Sequence, residues 1–325
     1  MHSRLGRIAA PALWLAVALL ALAVAAGLLA RFHPLLELFV HFQAQYLAAG
    51  IGLALLAVLA RRFVAFVLAL GLGLSALPPL WPYVVAAPPR VVAEGPGLRL
   101  VAANLNHMHA DAGAVRDFLR TTEADIVVLT ELAGQLEPAI AAGRERLPHL
   151  LRSSGGRHHP FGLLVLARRP LQAAAIHRPF GPDFPVAEFR YCLDEAPASC
   201  VAVIALHAVR PHPLDTLRDR LLGFAFERAR LAGQATANVI VVGDLNATPF
   251  APALARFSAL GLRDAGLGRG WRPTWPVALG LAGIPIDHVL VSPLLAVRQY
   301  RRLAPMGSDH YPVAVELGLP AAASR

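Results

Sequence analysis

Hydrophobic and polar positions divide the chain into two parts with different patterns. Three almost unbroken apolar runs occupy about residues 8–30, 42–60 and 63–81, and each is near the ~20 residues that cross a bilayer as a helix. Beyond residue 97, apolar residues recur instead with the periods of strands and amphipathic helices. The pattern predicts a membrane anchor of three transmembrane helices at 1–85, a proline-rich linker at 86–97 and one globular domain at 98–320.

Arginines at the ends of the apolar runs predict how the anchor crosses the membrane. Arg4 and Arg7 precede the first run, and Arg61 and Arg62 separate the second from the third. By the positive-inside rule these residues and the N-terminus are cytoplasmic, so three crossings place the globular domain outside. The first run also allows a cleaved signal peptide with its site near residues 23–25, although the apolar run continues past that site.

Short strands and helices alternate through the globular domain. Several neighbouring strands have the spacing of hairpins, which favours two packed sheets with helices outside over one parallel sheet. Strands are predicted at 98–103, 124–130, 162–166, 186–193, 200–206, 239–242, 286–291 and 312–317, and helices at 111–122, 213–235 and 249–260.

Polar side chains recur where these predicted strands end. Asp244 and Asn246 follow four β-branched apolar residues and lie two positions apart, so they can point the same way. Hard divalent cations prefer carboxylate and water oxygens, and histidine can bond or protonate a phosphate oxygen. Each residue alone is also compatible with a turn, a cap or a satisfied buried histidine. The strand ends and adjacent loops supply Asn104, Glu131, His207, Asp244, Asn246, Asp287, Asp309 and His310.

Six segments resemble, in order, the motifs of the endonuclease/exonuclease/phosphatase superfamily. This superfamily includes deoxyribonuclease I-like nucleases, abasic-site endonucleases, inositol-polyphosphate phosphatases and bacterial sphingomyelinases. The resemblance covers about residues 98–318, and the three-span N-terminus is similar to a bacterial, membrane-anchored branch. The segments are Leu100–Asn104, Asp125–Glu131, Leu206–His207, Gly243–Pro249, Ile286–Val291 and Gly307–Pro312, with Pro273–Pro276 as a further match.

The resemblance implies an α/β fold, a four-layer α/β/β/α sandwich with the site at one end of two sheets. It also implies phosphodiester hydrolysis by in-line attack of water, with Mg²⁺ or Mn²⁺ as cofactor. Asp244 would activate the water, and His310, supported by Asp287, would stabilise charge on phosphorus. The implied metal-site residues are Asn104, Glu131 and Asp309, the catalytic residues are His207, Asp244, Asn246, Asp287 and His310, and the substrate-binding residues are Arg210, Arg272 and Trp275.

Charge and composition restrict the substrate only weakly. All 30 basic residues are arginine, and beyond residue 85 there are 25 Arg against 20 Asp plus Glu, a modest difference of +5. The expected phosphodiester is nucleic acid slightly ahead of phospholipid, with phosphomonoesters third. The expected location is the bacterial inner membrane, with residues 8–81 in the bilayer, the domain periplasmic and no protein partner inferred. Arginines that flank the motifs are Arg157, Arg168, Arg169, Arg210 and Arg272.

Two functions of other classes are compatible with parts of the pattern. A membrane-tethered binding domain on the same fold would tolerate loss of Glu131, Asp244 or His310, yet all three are present. A transporter or channel usually carries charged residues inside its spans, and these runs carry none. Separately, Cys192 and Cys200 lie at the ends of two hairpin arms, which favours a disulfide in an oxidising compartment over two separate small apolar residues.

Overall fold

The computed structural model describes residues 2–85, 95–153, 161–212 and 215–320, so most of the predicted linker lies outside the described residues. Two helical stretches, Ala10–Leu28 and Pro34–Leu59, are long and apolar enough to cross a membrane, and a third exists if a pair of helices bent by 49° counts as one span. The N-terminal helices are α1 (His2–Leu28), α2 (Pro34–Glu37), α3 (Gln43–Leu59), α4 (Phe63–Leu74) and α5 (Leu77–Val84).

The third apolar run, predicted as one transmembrane helix at about 63–81, forms two helices that can count as one bent span. It breaks between α4 and α5. Pro78 and Pro79 lie at the start of α5, where their missing N–H groups remove helical hydrogen bonds and favour a new helix start. The second candidate span also differs from its prediction, because its helical stretch begins at Pro34 rather than near residue 42.

The rest of the chain forms two six-stranded sheets with helices on their outer faces. The first sheet has the order β11-β12-β1-β2-β4-β3 and the second has the order β5-β6-β7-β8-β10-β9. Helices α6 (Ala112–Thr121), α7 (Glu137–Gly143), α8 (Leu217–Ala235) and α9 (Pro252–Ala255) accompany them. The strands are β1 (Gly97–Asn104), β2 (Ile126–Thr130), β3 (His149–Arg152), β4 (Leu163–Ala167), β5 (Gln172–His177), β6 (Val186–Cys192), β7 (Cys200–Leu206), β8 (Val239–Asp244), β9 (Arg263–Asp264), β10 (Asp287–Val291), β11 (Ala296–Arg302) and β12 (Val313–Gly318).

Neighbouring residues of the central strands pack in different layers of the sandwich, because side chains along a strand point alternately to its two faces. Leu100 of β1 and Val242 of β8 face the core between the sheets. Val101 of β1 packs in the cluster with α6 and α7, and Val241 of β8 packs in the cluster with α8. Both strands are therefore buried on both faces, which accounts for their continuous apolar sequence. The predicted four-layer α/β/β/α arrangement is confirmed.

Sequence patterns missed the strands at or near the sheet edges and overestimated one helix. Strands β3, β5 and β11 carry exposed polar or small side chains, and β9 has only two residues. The segment predicted as one helix at 249–260 is α9 followed by a 3-10 turn, and α8 begins at Leu217 rather than near residue 213. Edge strands have one unpaired side and need no continuous apolar pattern.

Cys192 and Cys200 are joined by a disulfide in the structure. They are directly opposite each other on antiparallel β6 and β7, with Cα atoms 4.0 Å apart. This confirms the predicted pairing.

The N-terminal helices pack directly on the sandwich. Glu37 forms a buried ion pair with Arg218 of α8, with Oε1 and Nη2 2.6 Å apart. The backbone amides of Gly268 and Gly270 donate to the carbonyls of Pro82 and Tyr83. The apolar N-terminal part is therefore fixed against the domain at two places, beyond any connection through the linker.

Candidate active site

Four strand ends deliver acids and amides to one edge of the sandwich. Strands β1 and β2 are parallel with Asn104 opposite Thr130, so Asn104 and Glu131 emerge at the same edge. In the second sheet, Asp244 and Asp287 are directly opposite each other on antiparallel β8 and β10. His207 follows β7, which is parallel to β8. The regular register of the sheets thus brings together residues that are up to 183 positions apart in the sequence.

The loops after these strands have unusual backbone conformations. Asn106, Glu131 and Asn246 have φ values of 43°, 53° and 46°, in the left-handed region that disfavours residues with a side chain. Such conformations cost on the order of 1–3 kcal/mol each and concentrate at functional sites. Gly243, with φ of 137°, lies against β7, where a Cβ would be 1.9 Å from the Leu206 carbonyl oxygen.

Asn104 links the two acids that face each other across the sheets. Its Nδ2 donates to Oε1 of Glu131 at 3.0 Å and to Oδ2 of Asp244 at 2.9 Å. Its Oδ1 accepts from the backbone N–H of Asn106 at 2.8 Å. The amide nitrogen therefore faces the acids, and Asn104 holds the carboxylates in place through hydrogen bonds.

His207 and Asn246 form the side of the cluster next to Asp244. The Nε2 atom of His207 lies 3.5 Å from Oδ2 of Asp244 and 3.7 Å from Oε1 of Glu131. Nδ2 of Asn246 lies 3.3 Å from the same nitrogen and donates to the Ala208 carbonyl at 2.8 Å. The ring of Phe161 lies 5.0 Å from the His207 ring, centroid to centroid. These contacts fix both side chains within reach of a ligand at the acids.

His310 and Asp287 form the opposite side of the cluster. Nδ1 of His310 lies 2.9 Å from Oδ2 of Asp287, and its Nε2 lies 3.9 Å from Oδ2 of Asp244. Oγ1 of buried Thr274 accepts from the backbone N–H of Asp287 at 3.1 Å. Burial opposes protonation of His310, but the Asp287, Asp244 and Asp309 carboxylates raise its pKa to about 9. His310 is therefore an imidazolium at neutral pH.

The two central acids have opposite pKa shifts. Burial acts to raise the pKa of Glu131, but His207 and the hydrogen bonds from Asn104 and His107 outweigh it and lower the pKa. Burial and the Asp287 carboxylate raise the pKa of Asp244, against the effect of the histidines. Glu131 is thus held ionised, whereas Asp244 has a higher proton affinity and is the better base.

Two site residues were not recognised in the sequence. Nδ1 of His107 lies 3.0 Å from Oε2 of Glu131, and Nδ2 of Asn106 donates to Oδ1 of Asp309 at 2.7 Å. Both belong to the loop after β1, where a His-x-His pair is a weak signal. Their position directly after Asn104, at the end of β1, is the sequence feature that indicates a place near the site.

The structure brings some of the predicted substrate-binding residues to the pocket and leaves others outside it. Asp309 accepts from Asn106 and from Nε1 of Trp275, the latter at 2.7 Å, and these bonds outweigh burial and lower its pKa. Arg210 lines the same pocket as Asp244 and His310. Arg272 lines another cavity beside Tyr83, and its Nε donates to the Arg269 carbonyl. The structure therefore brings Trp275 and Arg210, but not Arg272, to the pocket.

The arrangement of donors fits a hard divalent cation. The ligand atoms of Glu131, His207 and Asp244 all lie within 4.8 Å of one another, and the same holds for Asp244, Asp287 and His310. No arginine among the described residues forms an ion pair with Glu131 or Asp244. The carboxylates of Glu131 and Asp244 are buried close together. Carboxylate oxygens are the ligands that Mg²⁺ and Mn²⁺ prefer. Asp309 belongs to neither group in the described part of the chain.

Three solved structures illustrate the similarity of this fold to known proteins. An endonuclease/exonuclease/phosphatase from Beutenbergia cavernae is 19% identical, with 70% of this chain and 72% of that chain covered and a TM-score of 0.54. TDP2 from D. rerio, complexed with a single strand DNA product, is 14% identical, with 68% and 98% covered and a TM-score of 0.55. The 3' phosphatase NExo from Neisseria, bound to a product DNA hairpin, is 19% identical, with 68% and 99% covered and a TM-score of 0.56.

The sequence itself identifies the family. It has no significant match among curated proteins. Residues 101–310, which contain every strand end of the site, match the sequence model of the Endonuclease/Exonuclease/phosphatase family. The chain belongs to the endonuclease/exonuclease/phosphatase family.

Proposed function

We propose that this protein is a metal-dependent phosphodiesterase whose catalytic domain is held at a membrane by its N-terminal helices. The observation that carries the proposal is the convergence of Glu131, Asp244, His207 and His310 within one buried cluster. Family membership supports phosphoester hydrolysis in general. Two apolar N-terminal helices long enough to cross a bilayer support association with a membrane.

The side chains suit direct attack of water on phosphorus. Asp244 accepts the proton of the attacking water, because its raised pKa makes it the better base of the two central acids. The water oxygen bonds to phosphorus as the bond to the leaving oxygen breaks. His310, protonated and oriented by Asp287, donates to a phosphoryl oxygen and stabilises the charge that develops there. Asn246 and His207 contact the phosphate or the leaving oxygen.

The carboxylate placed to hold a divalent cation is that of Glu131, with His207 beside it and Asp244 left free to accept the proton of the water. When bound, Mg²⁺ or Mn²⁺ supplies positive charge that neutralises phosphoryl oxygens. Asn104 keeps both carboxylates aligned through its two donated hydrogen bonds. Asp309, held by Asn106 and Trp275, adds negative charge at the edge of the cluster.

Nucleic acid and phospholipid are the two substrate classes to compare. Nucleic acid is favoured by the DNA complexes of TDP2 and NExo, which have the same fold. Nucleic-acid binding needs basic side chains near the cleft, and Arg210 alone lines the pocket among the four predicted arginines that the structure describes. Arg210 lines the pocket, whereas Nε of Arg168 donates to the Ala124 carbonyl at the far end of β2, and Arg157 lies outside the described residues. We therefore place phospholipid-like diesters first and nucleic acid second.

We further propose that the domain lies in the periplasm, on the outer side of a bacterial inner membrane. The arginine distribution between the spans and the Cys192–Cys200 bond support this location. Mass spectrometry without reduction, on protein taken from intact cells, should find this pair linked. Two free thiols in that protein would contradict the periplasmic location.

The test of the activity uses the full chain in lipid nanodiscs with bis(p-nitrophenyl) phosphate and Mg²⁺ or Mn²⁺. Glu131→Gln, Asp244→Asn and His310→Gln should each lower kcat by factors on the order of 10²–10³. The control Glu123→Gln removes an exposed carboxylate near β2 that pairs only with Arg99 among the described residues, and it should leave kcat unchanged. Turnover within a few-fold of wild type in all three site variants would refute the assignment.

A further inference from the structure

The first residues of the candidate span Pro34–Leu59 form a wall of the active-site pocket. This pocket is a cavity of about 380 Å³ that reaches from the acid cluster to the N-terminal part of the chain. Its polar lining comprises Glu131, Asp244, Asn246, His310 and Arg210, with Pro211 next to Arg210. The part of the lining that comes from the N-terminal segment, which we call the anchor wall, consists of Leu38, His41 and Phe42.

Polar contacts on both sides of the anchor wall hold it in position. Nδ1 of His41 lies 2.9 Å from Oγ1 of Thr248, a fully buried residue two positions after Asn246. Before the wall, Glu37 is paired with Arg218. After it, Nε2 of Gln45 donates to the Ala282 carbonyl at 2.7 Å. The side chains of Leu38 and Phe42 are therefore part of the site and not of a loosely tethered segment.

The surroundings of the anchor wall are mainly apolar. Trp275, Ile284 and Ile286 line the same cavity. A phosphate held at the acid cluster places one ester substituent against this surface. An apolar chain gains free energy there in proportion to the area that it removes from water, whereas a nucleotide sugar gains little. Phe42 keeps 40% of its surface exposed, so it has area left for a ligand to cover.

The anchor wall belongs to the candidate transmembrane segment Pro34–Leu59. Helix α3 begins at Gln43, directly after Phe42, and continues through 17 residues of mainly apolar sequence. The anchor wall therefore lies where this segment meets the catalytic domain. An amphiphile in an adjoining leaflet would reach the pocket with its chain still in apolar surroundings.

We propose that the anchor wall selects amphiphilic phosphodiesters, by binding the first part of an apolar chain next to the scissile phosphate. This inference rests on the proposed phosphodiesterase function and adds a specificity element to it. The N-terminal helices then serve as part of the substrate-binding site in addition to attaching the domain.

The test compares two substrates that differ only in chain length. Methyl and octyl p-nitrophenyl phosphate have the same scissile bond, and octyl ester is used below its micellar concentration with the full chain in nanodiscs. We expect kcat/KM to be on the order of 10²-fold higher for the octyl ester, mainly through KM, because several methylene groups become buried. Leu38→Ser and Phe42→Ser should each lower this octyl-to-methyl ratio roughly tenfold.

The matched control is Phe39→Ser, a change at a similarly exposed aromatic residue of the same segment that does not line the pocket. It should leave the octyl-to-methyl ratio unchanged, and thermal unfolding should show that all three variants are folded.

An octyl-to-methyl ratio near one in wild type, or faster cleavage of a single-stranded oligonucleotide than of the octyl ester, would overturn the inference while leaving phosphodiesterase activity intact. Failure to cleave either ester, in wild type as in Glu131→Gln, would instead reject the proposed function.

Discussion

Nδ1 of His310 lies 2.9 Å from Oδ2 of Asp287, and the backbone N–H of Asp287 is in turn bonded to Thr274. Through this pair, a strand residue of the second sheet determines the orientation and charge of a histidine that belongs to the loop before β12. Both residues are buried. The charge of His310 is thus set by a contact between a strand of the second sheet and a loop that leads into the first sheet.

The titration of His310 is the first prediction. Because carboxylates raise its pKa to about 9 against the effect of burial, its imidazolium should persist in metal-free protein until the pH approaches 9. Asp287→Asn removes the principal favourable charge, so the pKa of His310 should fall. Histidine-selective NMR, with His310→Gln to identify the resonance, measures both values. An unchanged pKa in Asp287→Asn would show that Asp287 does not control the charge.

The same linkage affects stability in a defined direction. The pKa of His310 is higher in the folded state than in the unfolded state, so its protonation stabilises the fold. This stabilisation is fully present below the unfolded pKa of about 6.5 and is lost as the pH rises through the folded pKa of about 9. Metal-free protein should therefore lose stability over this interval more steeply than the Asp287→Asn variant.

Asn104 gives the second prediction, which concerns metal removal. In Asn104→Asp, a third carboxylate replaces the amide that donates to both Glu131 and Asp244. Like charges at this distance repel, so the metal-free variant should unfold at a lower temperature, with a loss of a few kcal/mol. Adding Mg²⁺ should raise its Tm by more than it raises that of wild type. Gln234→Glu, which adds a charge at an exposed residue of α8 outside the acid cluster, should show neither effect.

An equal gain of Tm from Mg²⁺ in wild type and Asn104→Asp would contradict this interpretation. It would mean that the cation binds away from the carboxylates that Asn104 holds.

The sequence predicted the central strands and the acids of the site for one physical reason. Strands such as β2 and β8 are buried on both faces, so nearly all their residues are apolar, and a polar residue at their end is conspicuous. The edge strand β11 gave no such signal, because alternate residues face solvent. The loop residues Asn106 and His107 were missed because their role depends on left-handed backbone turns that place them at the acids.

The contact between the anchor and the site also lay beyond the sequence pattern. The apolar runs predict helices in a membrane, and nothing in their periodicity indicates which residues between the runs touch the domain. His41 reaches Thr248 across 207 positions of sequence. Such pairing depends on how the domain packs on the helices, which single-sequence patterns do not encode.

Gly243 gives the third prediction, on stability. A Cβ at this position would lie 1.9 Å from the Leu206 carbonyl oxygen, and the φ of 137° is itself unfavourable for alanine. Gly243→Ala should therefore cost on the order of 4 kcal/mol or more, or prevent folding. Gly223→Ala in α8 is the matched control, because its Cβ would meet nothing within 4 Å. It should be neutral or stabilising by up to about 1 kcal/mol.

Chemical denaturation of both glycine variants, followed by circular dichroism, measures the difference. Equal stability of the two variants would show that β7 and β8 can separate enough to admit a side chain before Asp244.

The Glu37–Arg218 pair gives the last prediction, which concerns docking of the N-terminal helices. Both side chains are buried, and Arg218 also contacts Asp219 at 2.7 Å. Glu37→Leu leaves a buried charge that is only partly compensated, so the full chain should lose about 3 kcal/mol, the lower end for a broken buried pair. The double variant Glu37→Leu with Arg218→Met should recover most of this loss, because apolar groups of similar size replace a buried pair at little cost.

Thermal unfolding of wild type, the two single variants and the double variant in nanodiscs completes the double-mutant cycle. The exposed Glu227–Arg230 pair on the same helix is the control and should show no measurable coupling. Equal effects of both pairs would mean that Glu37 does not hold the anchor wall against the active site.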